Sequence, residues 1–458
     1  MTHATSDIFF YHLQQAIKKQ FIPLVSLTAP ILATQFSQMA MGIVDTIMSG
    51  HASAADLAAV AVGSSIWIPL LLFIGGILSA ITPIIAHYCG EQNFEKIGHS
   101  IRQSFWIGLA LSLFGFILLS SIDDIFVFMQ VDNKILPIAS AYLHAIAWGM
   151  PAIAGFYILR YLNEGMANIQ PVMLTGILGL VVNIIVNYLL IFGHWGAPKL
   201  GGVGAGWATS ITHWVMFLCL FIYVSRSKKF LAVQLFRYHL KPHFNELKTL
   251  LALGFPIGIA LFVEGSIFSI IALFLASMGV VSVAAHQIAL SFSSLIFILP
   301  LSLSISLTIQ VGQQSGARQW QSVQDTIKTG YFISLSISSM AAFMIINFSS
   351  GIAMLYSSNS EVIQLASSLM IFTALYQFSD GIQLCSAGSL RGLKDTAIPM
   401  LLSIVAYWII GFPLGYVLAL THLVTEPMGA SGFWIGLLIG LSISAILMSI
   451  RLHYVIRK

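Results

Sequence analysis

The segment "IFTALYQFSDGIQLCSAGSLRG" (371–392) is apolar along most of its length and carries one carboxylate, Asp380, near its middle. A helix of about 20 mostly apolar residues is long enough to cross the hydrocarbon core of a bilayer. Of all 458 residues, 58% are hydrophobic and 8% are charged, whereas a soluble domain carries about 25% charged residues. The composition therefore predicts an integral membrane protein, so the function of Asp380 must be considered in a lipid environment.

The same length criterion predicts twelve membrane-spanning helices. Several runs exceed 25 residues, and prolines lie inside spans, where they bend helices and free backbone carbonyls. The predicted spans are 22–48, 57–86, 101–121, 136–159, 172–192, 204–225, 249–276, 283–311, 329–350, 362–389, 397–420 and 432–452.

The basic residues support this count independently. With a cytoplasmic N-terminus, twelve spans put all but two of the 20 Lys and Arg on the cytoplasmic side. The two exceptions are Lys134 and Lys199. Basic residues concentrate on the cytoplasmic side of membrane proteins. A missed helix would move the basic residues of all later connections to the opposite side. We therefore predict that both termini are cytoplasmic. This placement of the basic residues explains the net charge of +4, and we expect no nucleic-acid partner.

The chain contains an internal repeat. A shift of 226 residues places Pro30 on Pro256 and "LAAVAVGSS" (57–65) on "VAAHQIALS" (283–291), and a later shift of 228 places Pro171 on Pro399. Six spans in each copy make the copies parallel, related by an axis along the membrane normal. The predicted fold is thus all-α, with two six-helix lobes related by a pseudo-two-fold axis. The predicted parts are an N-terminal segment (1–20), an N-lobe (21–225), a cytoplasmic linker (226–248) and a C-lobe (249–458).

Three acids lie within predicted spans, namely Asp45 in the first, Glu264 in the seventh and Asp380 in the tenth. A charge at the centre of a span costs on the order of 3 kcal/mol on insertion scales. At about 1.5 Å per residue, Asp380 lies roughly 16 Å from Arg391 at the inner edge. We expect no Lys or Arg in the central part of any span, so the predicted partner of these carboxylates is mobile: Na⁺, H⁺ or a cationic substrate. The alternative is that each acid is protonated or hydrogen-bonded and only tolerated.

Polar side chains near these acids fit a cation site. Asn183 and Asn187 share one face of the fifth span because they are four residues apart. Their carbonyl oxygens can complete a Na⁺ shell or hydrogen-bond a carboxyl group such as that of Asp45, or the two side chains can hold helices together. Tyr376 lies one turn before the acid of the tenth span on the same face, and it can donate a hydrogen bond to that acid or offer its ring to a cation. His286 and Gln287 are further candidates in the eighth span, although a lone buried histidine is more often a packing residue.

Several familiar motifs are absent. The sequence has no GxxxxGK[ST] loop for ATP, no HExxH or GxSxG signature of hydrolases and no arginine-rich voltage sensor. The three cysteines are scattered in apolar runs without a metal-ligand spacing. We therefore expect no resident cofactor and no enzyme activity, and an ion gradient is the energy source that remains.

Four stretches resemble the multidrug and toxic compound extrusion (MATE) transporters, in particular the NorM-type bacterial branch. The similarity covers essentially the whole chain, including both repeats. The stretches are "GIVDTIMSGHASAADLAAVAVGSSIW" (42–67), "GGVGAGWAT" (201–209), "AAHQIALSFSSLIFILPLSLSISLTIQVGQQSGA" (284–317) and "SAGSLRGLKDTAIPM" (386–400).

The resemblance implies roles for individual residues. Asp45, in its "VDT" context, matches the acid of the first helix that is implicated in proton and substrate binding, with Asn183 and Asn187 as its polar partners. In the C-lobe, Glu264 and Asp380 match the cation site of the NorM branch, accompanied by Tyr376. Na⁺ is the coupling ion that we expect, with H⁺ as the alternative, and we expect it to bind Glu264 and Asp380.

The function that the resemblance implies is multidrug efflux. Lipophilic cations such as fluoroquinolones and dyes would be exported in exchange for external Na⁺ or H⁺, which confers antibiotic resistance. The expected protein is a monomer in the bacterial inner membrane. Two alternatives stay open: a flippase of lipid-linked precursors in the same superfamily, which needs several basic residues in its cleft, and a polytopic membrane enzyme, which needs clustered nucleophiles or metal ligands.

Overall fold

The computed structural model is built of helices and their connections. It describes the backbone of the whole chain except residues 1, 124, 125, 127–131, 133, 236–240, 425 and 458. Within residues 1–17, it describes only the side chain of Gln15.

Fifteen α-helices are found in the described residues. Two short 3-10 turns (His194–Gly196 and Lys228–Val233) and one π-helical segment (Val405–Gly411) join some of them. The helices are α1 (Thr2–Ala52), α2 (Ala54–Ser79), α3 (Ile81–Gly90), α4 (Phe94–Ser120), α5 (Leu136–Ala147), α6 (Met150–Gly165), α7 (Gln170–Phe192), α8 (Gly202–Arg226), α9 (Phe244–Ala276), α10 (Val280–Gly316), α11 (Trp320–Met354), α12 (Ser360–Gly392), α13 (Ala397–Ile404), α14 (Phe412–Leu420) and α15 (Ala430–Arg457).

These helices confirm the predicted all-α membrane fold. In the described part of the chain, eleven helical segments are long and apolar enough to cross a membrane. The pair Leu136–Ala147 and Met150–Gly165, bent by 47°, makes a twelfth span when it is counted as one. Each predicted span has a counterpart, although the helices are longer than the apolar runs and α1 already begins at Thr2.

The spans are interrupted at positions that the sequence analysis did not predict. Pro69, Pro256 and Pro300 lie inside continuous helices. The second span is instead divided at Ala80, and the π-helical turn precedes Pro413 in the eleventh span. Proline lacks an N–H and its ring collides with the carbonyl four residues earlier, and a widened π turn relieves that collision.

Contacts divide the chain into two units. The N-unit is Pro30–Gly258, and the C-unit is Met1–Ala29 together with Ile259–Lys458. This division differs from the predicted parts, because it falls inside α1 and α9 and assigns the linker 226–248 to the N-unit. The first part of α1 packs in the C-unit, where Leu24 is fully buried with Leu303 and Leu307. The start of α9 packs in the N-unit, where Gly254 lies against the backbone of Ile77.

In the C-unit, α12 is the central helix and is covered by α10, α11 and α15. Close approach depends on small residues and hydroxyl groups. Ser304 of α10 donates a hydrogen bond to the Leu384 carbonyl at 2.7 Å, and Thr308 donates to the Gly388 carbonyl at 2.9 Å. A Cβ at Gly388 would collide with the Ser304 backbone. Small residues with hydroxyls let membrane helices pack backbone to backbone, so α12 and its side chains are held firmly.

In the N-unit, α6 holds the equivalent place in the repeat and is buried along almost its full length. It packs in one continuous apolar core with α2, α3, α4 and α8. The two units therefore share an architecture in which the fourth span of each repeat is surrounded by the others.

Candidate functional site

Asp45 is the centre of a polar cluster in the N-unit. Its side chain on α1 is 8% exposed. Oδ1 accepts hydrogen bonds from Nδ2 of Asn183 at 3.0 Å and from Nδ2 of Asn187 at 2.6 Å, both on α7. Oδ2 accepts a bond from the hydroxyl of Thr209 on α8 at 3.0 Å. An ionised carboxylate is acceptor-only, so three donors from two helices suit the charged form of Asp45.

The two asparagines contact Asp45 through their amide nitrogens, whereas the sequence analysis expected contact through their carbonyl oxygens. Their amide groups bind the carboxylate, whereas their Oδ1 atoms have no hydrogen-bond partner among the described residues. Thr209 was missed by the sequence analysis, although it ends the quoted stretch "GGVGAGWAT". Nothing in the spacing of that stretch indicates that its threonine reaches the acid on α1.

Glu264 on α9 is the centre of a second polar cluster, which lies in the C-unit. Its side chain is partly buried, and one oxygen, Oε1, accepts two hydrogen bonds. Gln383 on α12 donates from Nε2 at 2.9 Å, and Ser403 on α13 donates from its hydroxyl at 3.0 Å. Three helices thus fix the orientation of one carboxylate.

The π-helical segment supports this arrangement. The Tyr407 hydroxyl donates to Oε1 of Gln383 at 2.8 Å, so the amide of Gln383 is bonded at both ends. Trp408, the next residue, donates from its indole N–H to the Val263 carbonyl at 3.2 Å. π turns inside helices are frequent at functional sites, and here the wide turn presents two side chains towards α9 and α12.

Asp380 and Tyr376 lie in the same unit and are 3% and 6% exposed. Asp380 interacts electrostatically with Glu264, and Tyr376 interacts with both carboxylates. Oδ2 of Asp380 is buried and has no hydrogen-bond partner in the part of the chain that the structure describes. Arg391, on the same helix as Asp380, attracts Glu264 electrostatically.

The structure thus brings the predicted site residues together in two groups, one in each unit. The C-unit group is Glu264, Asp380 and Tyr376, and the N-unit group is Asp45, Asn183 and Asn187. The sequence analysis missed the hydrogen-bonding partners, because they come from helices that only the fold brings together. These partners are Thr209, Gln383, Ser403 and Tyr407.

His286 and Gln287 do not join either group. His286 is fully buried and packs edge-on against Trp434, with ring centroids 5.8 Å apart. Neither of its ring nitrogens has a hydrogen-bond partner among the described residues. Gln287 is exposed. The role predicted for these two residues stays a prediction.

The placement of Arg160 in a connection needs a correction. Arg160 was counted with the cytoplasmic connections, but α6 continues to Gly165 and Arg160 is only 4% exposed within it. It forms an ion pair with Glu164 at 2.6 Å and donates to Oε1 of Gln38 at 3.0 Å and of Gln35 at 2.7 Å. A charge this deeply buried requires such partners.

The possible ligands of a cation are carboxylate and neutral oxygen atoms. No group of three or more His, Cys, Asp or Glu that could hold a metal is found among the described residues. In the C-unit, Glu264 and Asp380 supply two carboxylates, and Glu264 is hydrogen-bonded to the amide of Gln383 and the hydroxyl of Ser403.

The fold and these polar groups define a class, namely polytopic α-helical membrane transporters with buried acids in a repeated helical architecture. The MatE family model matches residues 30–189 and 256–417. This chain therefore belongs to the MATE family, whose members are transporters and not enzymes.

Solved structures of similar proteins agree on the fold. The eukaryotic MATE transporter AtDTX14 superposes with a TM-score of 0.85 at 20% identity, covering 96% of this chain and 98% of that protein. A multidrug resistance MATE family transporter in an outward-facing conformation gives a TM-score of 0.86 at 20% identity, covering 94% and 96%. A MOP superfamily transporter from Pyrococcus furiosus gives 0.84 at 21% identity, covering 95% of both chains. At these identities the likeness shows the fold alone.

Proposed function

We propose that this chain is a secondary active antiporter of the NorM-type bacterial branch that exports lipophilic organic cations in exchange for Na⁺ or H⁺. Its substrates would be drugs and dyes of the fluoroquinolone type, and its activity would confer antibiotic resistance. It would work as a monomer in the bacterial inner membrane with both termini in the cytoplasm.

The observation that carries the proposal is the pair of acids in the C-unit. Glu264 has one oxygen fixed by two donors, and Asp380 has a buried oxygen without a described partner. Burying a carboxylate in the membrane is costly unless it is paired, protonated or bound to a cation. Two carboxylates within electrostatic reach of each other repel when both are charged, and a monovalent cation relieves that repulsion.

Competition for these carboxylates couples the two transport directions in this mechanism. An organic cation from the cytoplasm binds against carboxylates and aromatic side chains, and the two lobes move so that the site opens outwards. External Na⁺ or H⁺ then neutralises Glu264, Asp380 or Asp45, which weakens the binding of the organic cation and drives the return. The coupling depends on different ion affinities in the two states.

Na⁺ is the preferred coupling ion. Glu264 is hydrogen-bonded to Nε2 of Gln383 and to the Ser403 hydroxyl, and the Tyr407 hydroxyl is bonded to Oε1 of Gln383. Each of these three side chains also has an oxygen atom that can coordinate a cation. Together with two carboxylates they can surround a metal cation, whereas a proton needs only one acceptor. The Asp45 cluster of the N-unit is a separate acid with three donors, and it is the candidate for H⁺ or substrate binding.

A flippase for lipid-linked pyrophosphates is a weaker alternative. Such a substrate would need uncompensated basic groups, and Arg160 is already bound by Glu164 and two glutamines. An anionic substrate would also be repelled by the buried carboxylates of both units.

The test is dye efflux from everted membrane vesicles or proteoliposomes with one gradient imposed at a time. With pH clamped on both sides, an imposed Na⁺ gradient is expected to drive ethidium-type dye transport. With the Na⁺ concentration equal on both sides, an imposed pH gradient is expected to drive less dye transport than the Na⁺ gradient does. Transport that is indifferent to both gradients would overturn the antiporter proposal, and transport driven only by pH would assign the coupling to H⁺.

A further inference from the structure

The segment that connects α8 to α9 and the first residue of α9 expose large apolar side chains. Leu231, in the 3-10 turn Lys228–Val233, is 71% exposed, and Phe244, the first residue of α9, is 83% exposed. Exposed apolar side chains within the spans face lipid tails, but these two stand at the ends of spans. They need a different explanation.

Exposed basic residues lie close in sequence to these two side chains. Lys228 lies three residues before Leu231, and Lys248 lies one turn after Phe244 on the same face of α9. Arg226 and Lys241 are likewise exposed. None of the three ion pairs between described residues uses any of these four cations.

The described parts of this segment are fixed to the N-unit. Phe230, Val233 and Leu235 are 4%, 0% and 7% exposed and belong to its apolar core. Because their neighbours are anchored in this way, the exposed position of Leu231 is set by the fold rather than by a free chain.

Hydrogen bonds from α4 hold the backbone on both sides of the undescribed residues 236–240. Arg102 donates to the Gln234 carbonyl at 3.1 Å. Gln103 donates to the Lys241 carbonyl at 3.0 Å and accepts from the backbone N–H of His243 at 2.8 Å. The apolar and basic side chains thus project from a platform that α4 supports.

We propose that this platform, formed by Arg226, Lys228, Leu231, Lys241, Phe244 and Lys248, binds the head groups of anionic phospholipids in the surrounding membrane. Leu231 and Phe244 enter the boundary between head groups and tails, while the lysines contact phosphate groups. Clusters of basic residues directly beside a membrane helix attract anionic lipid, and apolar side chains among them add interfacial binding. This inference goes beyond the proposed transport function and does not depend on it.

The test uses the purified full-length protein and native mass spectrometry with phosphatidylglycerol or phosphatidylcholine added in matched amounts. The wild type is expected to retain phosphatidylglycerol preferentially. The double variant Lys228→Gln/Lys241→Gln is expected to bind it roughly 25-fold more weakly, about fivefold for each lysine. The double variant Leu231→Ser/Phe244→Ser is expected to weaken the binding of both lipids.

The matched control is Lys134→Gln/Lys199→Gln, which removes two exposed lysines from the opposite side of the predicted topology. This control is expected to bind phosphatidylglycerol like the wild type. Equal retention of both lipids by the wild type would overturn the proposal. Equal losses of phosphatidylglycerol binding in Lys228→Gln/Lys241→Gln and in the control Lys134→Gln/Lys199→Gln would also overturn it. Displacement of the lipid by millimolar inorganic phosphate would also overturn it, because the site would then recognise a free anion.

Discussion

Glu264 and Gln38 occupy equivalent positions of the two repeats, 226 residues apart, and both accept side-chain hydrogen bonds inside their units. Glu264 accepts hydrogen bonds from Gln383 and Ser403, whereas Gln38 accepts one from the guanidinium of Arg160. Where the C-unit has an acid with neutral donors, the N-unit has an amide bound to a charged donor. A fixed cation thus satisfies this position in the N-unit, whereas neutral hydrogen-bond donors satisfy it in the C-unit.

The Asp45 cluster shows the reverse asymmetry. The same shift places Asp45 on Ile271, and the shift of 228 places Asn187 on Gly415. Ile271 is buried in the apolar core of the C-unit, and Gly415 packs against the backbone of Phe433. The duplicated helices therefore carry two different acid clusters, one in each unit.

Asp380→Asn is expected to abolish ion-coupled dye efflux while expression and unfolding temperature stay near those of the wild type. The amide keeps the size of the side chain but removes the charge that a cation neutralises. Efflux under an imposed Na⁺ gradient is the measurement. Glu361→Gln, an exposed acid at the start of the same helix, is the control and should transport normally. Normal efflux by Asp380→Asn would contradict the assignment of the site.

Tyr407→Phe is expected to raise the Na⁺ concentration for half-maximal efflux by about tenfold. The change leaves Oε1 of Gln383 without its donor, and an unsatisfied buried polar atom costs about 1–3 kcal/mol. Gln383→Leu, which also removes a donor from Glu264, should have a larger effect. Tyr416→Phe, on α14 of the same span and 40% exposed, is the matched control. Unchanged Na⁺ dependence in both Tyr407→Phe and Gln383→Leu would show that the π-helical segment does not position the site.

Asn187→Ala is expected to lower the free energy of unfolding of the N-unit by about 1.5–3 kcal/mol, because hydrogen bonds to charged groups contribute this much. The loss should be smaller in an Asp45→Leu background, where no carboxylate accepts the bond. Unfolding of the detergent-solubilised protein, followed as a double-mutant cycle, measures the coupling. Asn347→Ala, an exposed amide bonded within its own helix, is the control. Additive effects of the Asp45 and Asn187 changes would count against the contact.

The spans and the buried acids could be predicted from the sequence because both are visible in the hydrophobicity pattern alone. Long apolar runs are the only segments that can cross the bilayer as helices, and an acid among them needs no tertiary information to be noticed. The sequence did not single out Gln383, Ser403 and Tyr407, because polar and aromatic residues are common in such helices. Their contacts with Glu264 and with each other depend on how the helices pack. Arg160 was misassigned because an apolar window ends at the first charge, whereas the helix continues for another turn.

Arg160→Met is expected to destabilise the N-unit by about 3–5 kcal/mol, because Glu164 would remain buried without its cation. The double variant Arg160→Met/Glu164→Leu should recover most of this loss, since neither charge is then stranded. Arg451 and Asp395 provide the matched control: their ion pair spans 2.7 Å, close to the 2.6 Å of Arg160 and Glu164, but their side chains are 30% and 15% exposed rather than 5% and 3%. Arg451→Met should therefore cost at most about 1 kcal/mol. Unfolding transitions of the four purified proteins measure these differences, and equal losses for the buried and the exposed arginine would refute the claim that burial sets the energy of the pair.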